Sequence, residues 1–402
     1  MIPAEPTDIE TPARQPDGHL RWLSLVLLGT AYVFLVSSYV SIAVNSISMG
    51  LMAAAWLGMM AVERRWTVAR TPLDLFFLGF VIAQAVSTIF SSDPLQSLVL
   101  SKRLLLVGLV YFFASIVTTE GLSKRMVALL LSTAAIVAMI GVMKLLFGNP
   151  EENVRLGIFR FYMTTSGILT IATLLLFPFT IHPTTPRTTR VLSTMGLVPI
   201  LISLWATVTR GAYLAVVAGL IFIAVVRNPK ILILIILLLL VVIAFAPPYI
   251  ESRIKSILDL NHPDNIARLQ MWEAGIKIFK DHPIVGVGDI DTGKLMDRYG
   301  DPAMPRLWGH LHNTPLQILV NYGIIGFVIL IGMFVKIITT EWNIYRRTKL
   351  DWFKGSFALG SLAAFIGFLV HGMTEWSFGD QELITLIWTT IGISISLGRQ
   401  RT

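Results

Sequence analysis

Residues 190–247 read RVLSTMGLVPILISLWATVTRGAYLAVVAGLIFIAVVRNPKILILIILLLLVVIAFAP. Three apolar runs, 190–209, 211–226 and 230–247, are parted only by Arg210 and by the short stretch Arg227-Asn228-Pro229-Lys230. A helix that crosses a bilayer needs roughly 20 mostly apolar residues. Runs of this length, with almost no connector, predict consecutive membrane helices. Reading outward, the same pattern recurs at 22–40, 43–62, 73–90, 99–118, 126–147, 163–182, 315–338, 355–374 and 381–397. The expected fold is all-α, a polytopic membrane protein of about 12 transmembrane helices with one long, partly helical outer loop.

Composition agrees with that reading. Of 402 residues, 54% are hydrophobic and 14% charged, against about 45–50% and about 25% in an ordinary soluble domain. The mean hydropathy is +0.72. A cytosolic enzyme, a disordered chain and a secreted disulfide scaffold are all excluded. Cysteine is absent, which removes disulfides, thiolate zinc sites and a cysteine nucleophile. Residues 1–20 carry Glu5, Asp8, Glu10 and Asp17 rather than a basic leader, and no small-residue cleavage pattern follows. The first span is therefore expected to be retained and not cleaved as a signal peptide.

The net charge is +8, which reads as positive-inside bias rather than a nucleic-acid footprint. With the N-terminus inside, more than half of the 32 Lys and Arg fall on cytoplasmic segments. The expected division is a cytoplasmic tail 1–21, nine spans within 22–247, an outer loop 248–314, three spans within 315–397 and a cytoplasmic tail 398–402. The middle of every expected span lacks Asp, Glu, Lys and Arg. Transporters and pumps usually place such groups near the midplane, so the working groups are expected at the outer membrane surface. Lys102, Arg103, Lys144, Arg155, Arg160 and Arg210 stay on that surface against the bias.

The outer loop holds the remaining signals. Asp264 and Asn265 are candidate caps of a helix reaching about Lys280. Ile266, Leu269, Trp272, Ile276 and Phe279 recur at spacings of three and four, which predicts an amphipathic helix at the interface, with Arg268 off the stripe. His282-Pro283 stops it and Gly286-Val287-Gly288 makes a turn. His310-Leu311-His312-Asn313 ends the loop. An imidazole can take a proton from a hydroxyl, and Asn313 is placed to orient it. Two histidines two apart could also ligate a metal, but no clear third and fourth ligand accompanies them. Arg210 reads either as snorkelling to headgroups or as a bidentate clamp on a lipid-linked phosphate. Asp289-Ile290-Asp291 is a DxD triplet of the kind that holds a metal in soluble glycosyltransferases, but in this acid-rich loop it reads as a chance match.

Three pieces together resemble the bacterial O-antigen ligase and polymerase family of integral membrane glycosyltransferases. They are Thr209-Arg210-Gly211-Ala212, Arg268-Leu269-Gln270-Met271-Trp272 running on to Gly286-Val287-Gly288, and His312-Asn313 leading to Tyr322-Gly323-Ile324-Ile325-Gly326. The resemblance implies a GT-C-like membrane enzyme without cofactor or metal, and looks most like the ligase. That enzyme moves O-antigen from undecaprenyl diphosphate to lipid A–core at the periplasmic face of the Gram-negative inner membrane, inverting the anomeric centre. It assigns His312 as general base and Arg210 and Arg268 as essential, with Arg155, Arg160 and Arg103 expected to help bind the donor diphosphate. An O-antigen polymerase is the alternative within the family, and a lipid-linked sugar transporter or flippase is the alternative from another class.

Overall fold

The computed structural model of the chain describes residues 18–148, 155–244, 252, 255–256, 259, 261–300 and 309–400. The described residues are helical, with no strand among them. The helices are α1 Gly18–Val40, α2 Ile42–Glu63, α3 Asp74–Ile89, α4 Pro94–Leu100, α5 Gly108–Ile116, α6 Glu120–Phe147, α7 Tyr162–Ile181 and α8 Arg187–Ala206. They continue as α9 Arg210–Arg227, α10 Ile231–Ala244, α11 Pro263–Asp281, α12 Gly293–Tyr299, α13 Thr314–Thr348, α14 Trp352–Gly372 and α15 Gln381–Arg399. A 3-10 segment, Ser101–Val107, joins α4 to α5 into one rod.

Among the described residues, nine stretches are long and apolar enough to cross a membrane. The other three expected spans are helices of a different kind. α3 has 16 residues. α10 is described for 14, and the rest of its expected run lies outside the described residues. α15 is less apolar, yet Leu383 through Leu397 are all buried. Its Thr and Ser side chains face protein rather than hydrocarbon, so it does not need the composition of a lipid-facing helix. At the start of the chain α1 already begins at Gly18, inside the expected tail 1–21, and residues 1–17 lie outside the described set.

α14 is the central helix, packed against α7, α9, α13 and α15. Gly360 lets it approach the α7 backbone at Leu174 and Leu175, where a Cβ would not fit. Small residues at such crossings let membrane helices pack closely. The turn between α1 and α2 falls at Ser41, and Asn45 ties the pair by donating to Phe34 O (3.1 Å) and Ser38 Oγ (2.9 Å). One end of the bundle gathers basic segments: Arg227 and His182 both reach Lys349 O, and Arg399 reaches Arg70 O.

α13 differs most from the expected span. It runs ten residues beyond position 338, so Glu341 lies fully buried inside it, bonded to Ser394 Oγ at 2.7 Å. It is also broken at Gly323 (φ 62°, ψ −167°), a conformation essentially reserved for glycine. The segment after α11 fills the break. Val287 N and Gly288 N donate to Val320 O (2.9 Å) and Asn321 O (3.0 Å), and Ile324 N donates to Pro283 O (2.8 Å). Backbone groups freed by the break thus find partners, as burial requires. Ser87 Oγ on α3 and Ser91 Oγ clamp the joint, bonding Asn321 O (2.5 Å) and Val287 O (2.6 Å). The Gly-Val-Gly turn is therefore the seat on which α13 changes direction.

α11 corrects the expected cap and divides the expected stripe. Its N-cap is His262, whose Nδ1 accepts from Asp264 N (3.3 Å), because Pro263 already occupies the first helical position. Asn265 instead donates to Ser256 O and Asp259 O. The face packed on the protein is Met271, Ala274, Gly275 and Ile278, while Ile266, Leu269 and Ile276 of the expected stripe are exposed. Ala274 and Gly275 on the packed face permit close approach, and Trp272 and Phe279 of the stripe pack against the same cluster.

The joint yields a prediction. Gly323→Ala forces a Cβ onto the Ile284 carbonyl and an unfavourable φ, so stability in detergent should fall by about 1–3 kcal/mol. Gly29→Ala, with nothing within 4 Å of the added carbon, should leave thermal unfolding unchanged or slightly raised.

Candidate active site

At the other end of the bundle, the starts of α9, α11 and α13 meet the turn 373–380 between α14 and α15. Asn313 caps α13, its Oδ1 accepting from Leu316 N (2.9 Å), while its Nδ2 donates to Met373 O (3.1 Å). Thr314 Oγ1 donates to Glu375 O (2.8 Å). These two bonds staple the turn to the residues beside His312. Leu311 is held from two sides: Trp272 Nε1 donates to its carbonyl (3.0 Å) and Gln317 Oε1 accepts from its N–H (2.7 Å). Gly275 lets α11 close on Leu311 and Leu316.

The result is a three-residue bridge. Glu375 Oε2 lies 2.7 Å from His312 Nδ1, and Oε1 accepts from an Arg268 terminal nitrogen at 2.9 Å. Glu375 and His312 are buried, and Arg268 is partly exposed. Burial pushes the Glu375 carboxyl up, but the His312 hydrogen bond and the electrostatic influence of His312, His371 and Arg268 outweigh it and hold it below its usual value. An ionised carboxylate at Nδ1 favours the proton on that nitrogen and leaves Nε2 with its lone pair. His312 itself has φ 46°, a left-handed conformation uncommon outside glycine. Asn313, expected to orient the imidazole, caps the helix instead, and Glu375 takes the orienting position.

Arg210 opens α9 and is buried. One terminal nitrogen donates to Ser256 O (2.7 Å) and Ser256 Oγ (3.1 Å), and the other lies 3.8 Å from Asp264 Oδ2. Asp264 and Arg268 stand one turn apart on α11, so that turn carries the contacts of both arginines. Gly211 packs against Thr374 and His371, where a Cβ would strike the Thr374 hydroxyl. Val208, two residues before Arg210, has φ 51°, an outlier for a β-branched residue. Its carbonyl accepts from Arg155 (3.2 Å), whose guanidinium carbon lies 4.2 Å from the Tyr162 ring centroid. Arg210, Arg268 and His312 are therefore joined through Asp264 and Glu375, with Arg155 behind the Arg210 turn.

Arg103 and Arg160 are held elsewhere. Arg160 pairs with Glu382 (2.6 Å) and donates to Ser38 O (3.3 Å). Arg103 pairs with Asp289 (3.2 Å), the first residue of the DxD triplet. Asp289 also accepts from Asn321, which accepts from Gln317, so a buried chain of hydrogen bonds runs from Arg103 back to Leu311. Burial raises the Asp289 carboxyl above its usual range despite Arg103. Burial, with His312 adding to it, lowers His310 to about 4, so this imidazole is neutral near pH 7. Its ring centroid lies 4.3 Å from that of His312. Among the described residues, no three His, Cys, Asp or Glu side chains are placed to hold a metal ion.

These features define an all-α, multi-pass membrane protein with a charged cluster at one end of its bundle. Residues 195–331 match a family model described as O-antigen ligase, in line with the resemblance. A comparison with curated proteins finds no match. The matched stretch holds Arg210, Arg268 and His312 and ends before Glu375.

Glu375 was missed from sequence. The available signal was an acid in the short turn HGMTEWSFGD, between two apolar runs and on the expected outer face. Because its folded-state value is depressed, the stability it contributes is present above the unfolded carboxylate value of about 4.3 and is lost as pH falls through the folded one. Thermal unfolding in detergent should therefore show Glu375→Gln less stable than the wild type at pH 7. The gap should close as the pH falls below about 4.

Proposed function

We propose that the protein is a glycosyltransferase that joins O-antigen, carried on undecaprenyl diphosphate, to a sugar hydroxyl of lipid A–core. The observation that carries this reading is the bridge His312–Glu375–Arg268, in which a base and a cation from the family-matched stretch meet on one carboxylate that lies beyond it. The basic segments gathered at the opposite end of the bundle support a periplasmic site, with both termini cytoplasmic.

The donor supplies its own activation, because diphosphate is a good leaving group. His312 Nε2 takes the proton of the acceptor hydroxyl as its oxygen attacks the anomeric carbon. Glu375 stabilises the imidazolium that forms, and the bond from that carbon to the diphosphate oxygen breaks. One displacement inverts the centre and needs no covalent glycosyl-enzyme. The charge left on undecaprenyl diphosphate falls to Arg210 and Arg268, whose rigid forks suit phosphate oxygens. Each is already oriented by an anchor, Ser256 for Arg210 and Glu375 for Arg268. No step needs a metal ion, since guanidinium groups supply the positive charge. Arg155 backs the Arg210 turn, while Arg103 and Arg160 hold the surrounding walls through Asp289 and Glu382.

Reconstitution with undecaprenyl-diphosphate glycan and lipid A–core in EDTA tests this. Glycan on lipid A–core is the expected product. Longer lipid-linked chains alone would make the protein a polymerase, and movement of donor without new glycosidic bonds would make it a flippase. His312→Ala should insert normally and transfer about 10²–10⁴-fold more slowly. Arg210→Lys should not restore transfer, because an ammonium cannot reproduce a two-pronged contact. Full activity of Arg210→Lys would reassign that residue to snorkelling.

A further inference from the structure

At the end of the bundle remote from Glu375, a groove opens sideways between α6, α7 and α8, under the start of α14. Its volume is about 670 Å³, the size of a small-molecule site. Ala128, Ala135 and Gly196 give it depth, and its exposed lips are Ile136, Met139, Leu192 and Met195. It runs along α6 from Lys124 to Met139, about 22 Å of helix. One leaflet of a roughly 30 Å hydrocarbon core is shallower than that, so a chain entering at Lys124 can lie within it along its length.

The mouth carries an excess of positive charge. Lys124 is half exposed, pairs with Glu120 (2.6 Å) and sits 5.4 Å over the Trp352 ring. Arg125, Arg187 and Arg190 stand at the same helix ends, against the carboxylates Glu120 and Asp351. One terminal nitrogen of Arg190 donates to the carbonyls of His182 (2.9 Å) and Pro183 (3.0 Å), and Arg190 forms no ion pair among the described residues. A tryptophan beside basic residues is the usual furniture of a membrane–water interface.

We propose that this groove binds one acyl chain of an anionic glycerophospholipid from the leaflet opposite the active site, with its phosphate at Lys124. The apolar walls select a hydrocarbon chain, and the cationic mouth selects the headgroup. The site is independent of the transfer reaction and of the roles given to His312 and Glu375.

The test uses the full chain purified in a neutral detergent. Phosphatidylglycerol and phosphatidylcholine with identical acyl chains are added, and bound lipid is counted by native mass spectrometry alongside thermal shift. Wild type should bind one phosphatidylglycerol more tightly than phosphatidylcholine and be stabilised by it. Lys124→Gln, a surface change, should weaken phosphatidylglycerol about fivefold, as expected for one basic residue at an anionic surface, and leave phosphatidylcholine unchanged. Ala135→Phe, which fills the groove, should lose that bound lipid. Equal binding of the two lipids, or a preference that survives Lys124→Gln, would overturn the proposal. So would displacement of phosphatidylglycerol by undecaprenyl phosphate, which would give the groove to the donor's tail.

Discussion

A carboxylate removed from water costs several kcal/mol unless charges and hydrogen bonds replace its hydration. Glu375 is such a group, and its two oxygens are satisfied by different elements: Oε2 by His312 before α13, Oε1 by Arg268 on α11. One buried side chain therefore fixes the distance between a base and a cation that lie 44 positions apart in sequence. Removing either partner would leave one oxygen of the buried carboxylate uncompensated. The site is thus held by electrostatic necessity and not by a rigid loop.

The rest of the fold makes that bridge reachable. α11 can face His312 because the segment behind it, 283–288, is built into the break of α13 at Gly323. Gly275 then lets α11 touch Leu311, and Asn313 and Thr314 bring the 373–375 turn over the imidazole. The same turn receives Gly211, which seats Arg210 alongside. Two non-glycine residues with positive φ flank these groups, Val208 and His312. Strain of that kind persists where surrounding contacts over-determine it.

Much of this was legible in sequence, because hydrocarbon imposes length and composition on any helix it touches. The positions of the apolar helices, Arg210 between two of them and His312 at the rim of another all follow from that rule. What escaped was set by contacts between distant segments. The hydropathy of α15 hid its burial by protein. The α11 stripe is split, with Trp272 and Phe279 packed inward and Ile266, Leu269 and Ile276 exposed, because Ala274 and Gly275 on the packed face let the helix approach closely. The Gly-Val-Gly turn announced a bend but not that it completes another helix. Glu375 carried no motif, and only folding brings it to His312.

The most direct test of the account is a double-mutant cycle on the rate of transfer, using His312→Ala, Glu375→Gln and the pair together. If Glu375 acts through His312, the double variant should be about as slow as His312→Ala alone. Losses that multiply would show the two residues working apart and would contradict the bridge as the centre of the site.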